Sequence, residues 1–325
     1  MCHVSYIKPH WPYIVPAPYH DMYGPNSFVP PHRHADEKQD PNPIYAAFSG
    51  NLIGTAFQDD RVREKVLGAY MGLIKQIDDQ MGVLFDYLKS SGQMENTMIV
   101  VTSDHGDYLG DHWLGEKDLF HDPSVKVPLI IYDPSPEADV SRGQVCDALV
   151  ESIDLAATFT DYTDNTVPDE WLEGRSLLPF LYGHTPTVWR EFAVSEYDYS
   201  MTPMAAKLGV AAKDARLFMV ATKKWKFMHA EGGIPPMLFD LEADPGELRD
   251  VGRHPDYQHA VADCYDMLHS WALRCHQRNS LSDQEIINKR GKSRRKGIVL
   301  GIKDNSYDDN DILIKYKGRP GKRPA

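Results

Sequence analysis

Apolar residues recur at helical spacing between residues 59 and 92. Val66, Tyr70, Leu73, Ile74, Ile77, Met81, Leu84 and Leu88 fall on one face. Asp59 or Asp60 is placed to cap the start of this helix, and Gly92 to stop it. An apolar run at 97–102 then reads as a buried strand. A second run at 127–132, between flanking prolines Pro128 and Pro134, reads as another. Helix, strand, loop, strand is the grammar of an α/β protein. Upstream, residues 2–7 alternate and then turn at Lys8-Pro9-His10, which predicts a strand delivering a polar loop. Residues 11–60 are dense in Pro, Tyr, His and Asn; they predict an irregular excursion that lines or covers a site. Ser152 is placed to cap a short helix through Thr160. Beyond about residue 190 the pattern shortens to alternating runs at 192–195, 217–222, 225–229 and 237–241, the signature of a small antiparallel sheet. A helix over about 255–276 should pack on it through Val261, Tyr265, Leu268 and Leu273.

The chemistry is concentrated where the strand at 97–102 ends. Asp104 and His105 stand at its carboxyl end, the position at which open α/β sheets bind ligands. A hard oxygen donor beside an imidazole suits a divalent cation. Gly106 allows a sharp turn after the pair, and Lys117 returns a cation to the neighbourhood. Metal-assisted attack on a sulfate, phosphate or phosphonate ester is the chemistry that such a set suits.

Composition narrows the rest. The chain has 325 residues, enough for a substantial core or two unequal lobes. A net charge of -12 argues against general nucleic-acid binding. No apolar run approaches the ~20 residues needed to cross a bilayer. The first ten residues have neither the charged region nor the apolar run of a secretion signal, so the expected location is cytoplasmic. Cys2, Cys146, Cys264 and Cys275 are scattered, with no C-x-x-C pair, and are expected to be reduced structural thiols. Residues 289–296 and 315–323 are basic, either a solvated tail or a subunit contact.

Several blocks in order carry a resemblance. They are Ser5-Tyr6-Ile7-Lys8-Pro9-His10-Trp11-Pro12-Tyr13, Ser103-Asp104-His105-Gly106-Asp107-Tyr108-Leu109-Gly110-Asp111-His112, Lys117, Val127-Pro128-Leu129-Ile130, Ser152-Ile153-Asp154-Leu155, Gly174-Arg175-Ser176-Leu177-Leu178-Pro179 and Leu238-Phe239-Asp240-Leu241-Glu242-Ala243-Asp244-Pro245-Gly246-Glu247. With them the chain resembles the sulfatases and phosphonate monoester hydrolases of the alkaline phosphatase superfamily. The spellings Gly110-Asp111-His112-Trp113 and Lys8-Pro9-His10-Trp11-Pro12 lean toward the phosphonate monoester hydrolases.

The resemblance implies an alkaline-phosphatase-like mixed sheet flanked by helices over 1–190, a smaller antiparallel subdomain with its packing helix over 191–280, and a basic tail over 281–325. It implies a metal-dependent hydrolase of sulfate, phosphate or phosphonate esters. Asp104 and His105 would hold one divalent ion, Ca²⁺, Mg²⁺ or Mn²⁺. His10 would hydrogen-bond or protonate the ester oxygens, and Lys117 would neutralise the transferred group. His121, His112 and Tyr13 are further substrate-binding candidates, with a supporting or structural role equally open to the two histidines. Asp107 either holds the His105 ring or caps the turn. Tyr6, Trp11, Tyr13 and Tyr19 either wall a pocket for an aryl group or form core.

The partners expected are a small anionic ester and, for the complete enzyme, further copies of itself; neither nucleic acid nor membrane is expected. One departure from the family pattern is plain. Its nucleophile is a cysteine in Cys-x-Pro-Ser-Arg, oxidised to formylglycine, and no cysteine here stands in that motif; nor does an early strand end in the family's Asp-Asp pair. The expected reading is therefore a chain without its own nucleophile, lacking roughly the N-terminal third of the family's length. The alternative is a non-catalytic or partner-dependent module that needs a separate N-terminal polypeptide. A two-metal phosphodiesterase or phosphomutase would need further His and Asp ligands; His184 and His229 are the unplaced histidines.

Overall fold

The computed structural model describes residues 1–165, 172–274 and 283–289. In chain order the elements are α1 (Pro43–Ser49), α2 (Leu52–Phe57), α3 (Asp60–Ser90), β1 (Ile99–Thr102), α4 (Asp122–Val125), β2 (Leu129–Tyr132), α5 (Asp154–Tyr162), α6 (Leu178–Leu181), β3 (Ala193–Asp198), α7 (Pro203–Leu208), β4 (Arg216–Ala221), β5 (Trp225–Ala230), β6 (Met237–Asp240), α8 (Gln258–Arg274) and α9 (Asp283–Lys289). Of the tail expected over 281–325, only α9 lies within the described residues, and Cys275 lies outside them.

The α/β architecture follows from the periodicities. α3 is capped by Asp59, whose side chain accepts the Arg61 amide, and ends before Gly92 at φ +72°. Its apolar stripe is only thinly covered: Leu73 is buried, whereas Ile74 is 46% exposed. The helix instead seats the proline-rich excursion with small residues. A Cβ on Gly72 would collide with the Tyr19 carbonyl, so glycine there lets residues near 19 lie directly on the helix.

β1 and β2 pair antiparallel, with Ile99 opposite Tyr132 and Val101 opposite Ile130. The second sheet runs β3-β4-β5-β6, every ladder antiparallel. Its strands alternate between two cores. Leu217, Met219, Met228, Met237 and Phe239 face Ile44, Phe48, Tyr108, Leu114 and Leu119. Val220, Phe227 and Leu238 face Val261, Cys264 and Leu268 of α8. The first of these cores crosses position 190, joining the loops after β1 to the C-terminal sheet.

Three local expectations are corrected. Residues 2–7 are an exposed coil: among the described residues no strand pairs with them, and an extended segment without a partner leaves its backbone groups to water. Ser152 does not cap α5. Asp154, fully buried, reaches back to the Glu151 amide at 2.8 Å, accepts the Arg175 amide at 2.8 Å and pairs with Arg190. Leu273 is 58% exposed; Trp271 falls on the packed stripe of α8 instead.

Candidate active site

The polar loop after β1 and the loop at residues 8–13 meet. Lys117 Nζ lies 2.6 Å from His10 Nε2, and the His10 and His105 rings stand edge to face with centroids 5.8 Å apart. Backbone contacts settle the tautomers. His10 Nδ1 is 2.7 Å from the Trp11 carbonyl oxygen and His105 Nδ1 is 2.8 Å from that of Gly106. A carbonyl can only accept, so each Nδ1 carries the proton in the neutral ring and each Nε2 keeps its lone pair. Lys117 therefore donates to His10. His105 Nε2 is left free, 3.6 Å from Asp104 Oδ2. Asp104 is well exposed, while its other oxygen accepts the His105 amide at 3.0 Å.

Four hydrogen bonds to backbone carbonyls hold this arrangement. The Gly106 amide donates to the Ser124 carbonyl at 2.7 Å, and Ser124 Oγ, buried, donates to the Lys117 carbonyl at 2.8 Å. Gly106 is required by close approach rather than by a left-handed turn: a Cβ there would drive into the Pro123 carbonyl oxygen. Between Tyr108 and Lys117 the chain is strained, with Leu109, His112, Trp113 and Glu116 all at φ between 47° and 59°. Bonds from the Tyr108 amide to Glu116 O and from the Gly110 amide to Leu114 O, both 2.8 Å, hold that shape.

A sulfatase family model matches residues 1–165, and a model of the N-sulphoglucosamine sulphohydrolase C-terminal region matches residues 110–273. The chain belongs to the sulfatase family. It is 32% identical over 289 residues to the multifunctional alkaline phosphatase superfamily protein PehA of Trinickia caryophylli, covering 83% of this chain and 55% of that protein. To an arylsulfatase of Clostridium perfringens it is 28% identical, covering 79% of this chain and 50% of that protein. The phosphonate monoester hydrolase structure from Silicibacter pomeroyi superposes with a TM-score of 0.75 at 31% identity, covering 84% of this chain and 55% of that one. The chain thus spans about half the length of the relatives it matches. The expected family and fold are those found.

Members of the sulfatase family that match here are enzymes acting on anionic esters, and a metal is part of that chemistry. Asp104 and His105 fit it in donor type, since one offers hard oxygens and the other an unprotonated Nε2. They do not suffice in number. Among the described residues no group of three or more His, Cys, Asp or Glu could hold an ion, and divalent cations take four to eight ligands.

The remaining candidates are placed elsewhere. His112 and His121 are buried, stacked on each other with centroids 4.2 Å apart. Glu37 Oε1 lies 2.7 Å from His112 Nδ1, and the Tyr108 hydroxyl 2.8 Å from His121 Nδ1. Burial, then His112 and Lys226, holds the His121 imidazole well below its ordinary value. Asp122 pairs with Lys226 and with Lys126.

Tyr13 turns its hydroxyl to Asp107 Oδ2 at 2.8 Å. Burial pushes the Asp107 carboxyl up, opposed by the Tyr13 bond. The four tyrosine and tryptophan rings do not gather: Tyr13 meets Tyr70 on α3, Tyr19 bonds Asp79, and Tyr6 and Trp11 are 42% and 59% exposed. Ser124 is the residue that sequence reasoning missed. A lone serine in a short helix carries no signal of its own, and only the fold shows that it ties Lys117 to the Asp104–His105 loop.

Proposed function

We propose that this chain carries the metal-and-anion face of a sulfate, phosphate or phosphonate monoester hydrolase. The observation that carries this reading is the convergence of His10, from one loop, with His105 and Lys117, from the loop after β1, on one partly exposed surface. Lys117 supplies a compact positive charge to the non-bridging oxygens of the bound ester. His10 points Nε2 into the same space, where, once that nitrogen has taken up a proton, it can donate a hydrogen bond to an ester oxygen or protonate it. Asp104 and His105 would hold one divalent ion, which polarises the ester when bound. None of the four cysteines stands in a Cys-x-Pro-Ser-Arg motif, so attack on the ester requires a nucleophile from outside these residues. The two-donor metal set favours the second reading as well, a module whose site is completed by further groups.

Calorimetric titration with phenylphosphonate and with inorganic sulfate, with and without Mn²⁺, tests this. Lys117→Ala is expected to weaken anion binding about tenfold, the size of one charge-assisted bond. His105→Ala is expected to abolish the Mn²⁺ response. Anion affinity indifferent to Lys117 would sink the reading. Turnover of an aryl sulfate or aryl phosphonate that survives purification and is abolished by His105→Ala would overturn the absence of a nucleophile.

A further inference from the structure

The His10 loop has few ties to the rest of the protein. Residues 1–7 are mostly exposed, and Lys8 folds back on the carbonyls of His10 and Pro12, which shapes the loop but anchors it to nothing. The amides of His10 and Ile14 bond within the same loop. The contact between His10 and Lys117 joins two groups that an anion would separate, so it cannot set their spacing once an ester is bound.

What remains near the site is Tyr13, three residues beyond His10. Its hydroxyl donates to Asp107 Oδ2 at 2.8 Å, two residues beyond His105. Asp107 Oδ1 already accepts the Leu109 amide at 3.1 Å, and that bond alone accounts for an ordinary aspartate turn. The second oxygen is not needed for that turn; it accepts the Tyr13 hydroxyl of the other loop, while the Glu116 amide also reaches the carboxylate. The Tyr13 ring is held from behind by an edge contact with Tyr70 of α3, at 6.3 Å between centroids. Donor and acceptor are both partly buried, where a hydrogen bond competes less with water.

We propose that Tyr13 and Asp107 form a positioning clamp that fixes the His10 loop against the Asp104–His105 loop. Tyr13 is then not a substrate contact; it acts through His10, by setting how far the imidazole stands from His105 and Lys117. The role rests on the reading of His10 and Lys117 given above.

Proton NOEs between the His10 and His105 rings, in chain labelled at histidine, read the spacing directly. Tyr13→Phe keeps the ring and removes only the donor. It is expected to abolish that NOE and to weaken phenylphosphonate binding about three- to tenfold. Asp107→Asn keeps an acceptor oxygen and should retain both, whereas Asp107→Ala should lose both. A Tyr13→Phe protein whose melting temperature falls while NOE and affinity stay at wild-type level would show a merely structural bond and overturn the clamp. If Tyr13→Phe fails to fold, the Asn and Ala variants of Asp107 decide: equal NOEs in the two overturn it. A lost NOE in Tyr13→Phe, with anion affinity indifferent to Lys117→Ala, would leave the clamp standing and remove the hydrolase reading instead.

Discussion

At the scale of single residues, the histidines divide by environment. His10 and His105 are partly exposed, each with Nδ1 against a backbone carbonyl and Nε2 turned to the site. His112 and His121 are sealed in the core, and for His121 this has a thermodynamic consequence. Its folded-state value lies well below the ordinary 6.5, because burial penalises the charged ring. Below about pH 6.5 the unfolded chain takes up a proton at this position that the folded chain refuses. Stability supplied by a neutral His121 is therefore full above that pH and is lost as pH falls, by at most about 1.4 kcal/mol per pH unit. The buried carboxyls Asp107, Asp118, Glu247 and Asp250 are raised by burial and act in the opposite sense, giving stability at low pH that fades as pH rises. They cancel in a comparison with His121→Gln. Urea unfolding of the two proteins between pH 5 and 7 should show wild type losing stability relative to the variant as pH falls. Parallel pH profiles would show that His121 titrates freely.

At the scale of elements, the buried ion cluster explains how the C-terminal sheet positions a loop of the site. Lys226 on β5 points to the same face as Met228 and Ala230, yet it is 2% exposed. Its Nζ lies 2.5 Å from Asp122 Oδ1 and 2.6 Å from Glu247 Oε1, and Glu247 Oε2 accepts the Asp122 amide at 2.7 Å. α4 begins at Asp122 and presents Ser124, so the cluster fixes the segment that grips Lys117 and Gly106. Lys226→Met leaves the buried Glu247 without its cation and should cost about 3–5 kcal/mol. Lys226→Met paired with Glu247→Gln should recover part of that loss. A midpoint of urea unfolding unchanged by Lys226→Met would refute this account.

The strands β3 to β6 and the helices α3 and α8 were legible in the sequence, because each carries a period that one buried face imposes over several residues. Asp104, His105, His10 and Lys117 were legible through motif order. Asp122, Glu247 and Ser124 were not, since their partners lie at sequence distances that no local pattern encodes. The coil at residues 2–7 shows the converse limit: alternation marks a strand only where something pairs with it.

At the scale of the whole molecule, the two sheets are unequally covered. The C-terminal sheet lies between two cores, while one face of the β1–β2 ribbon is only partly covered. Ile99 and Tyr132, and Val101 and Ile130, are directly opposed across the strands and share that face. With Met81 and Phe85 of α3 and Met94 they line an apolar groove of about 250 Å³. Ile130 is 62% exposed at its rim. A continuous apolar groove of this kind takes up an environment-sensitive dye, which scattered single residues do not. The native chain should therefore enhance the fluorescence of anilinonaphthalene sulfonate at neutral pH, well below its unfolding midpoint. Since Ile130 already faces water, Ile130→Lys should shift stability by no more than about 0.5 kcal/mol. It should nevertheless remove most of the dye signal, because a cation at the rim breaks the apolar continuity. Fluorescence unchanged in Ile130→Lys would place the dye elsewhere and show the ribbon face to be closed in solution. A signal lost together with a large drop in the unfolding midpoint would mean that Ile130 packs more tightly than its exposure indicates.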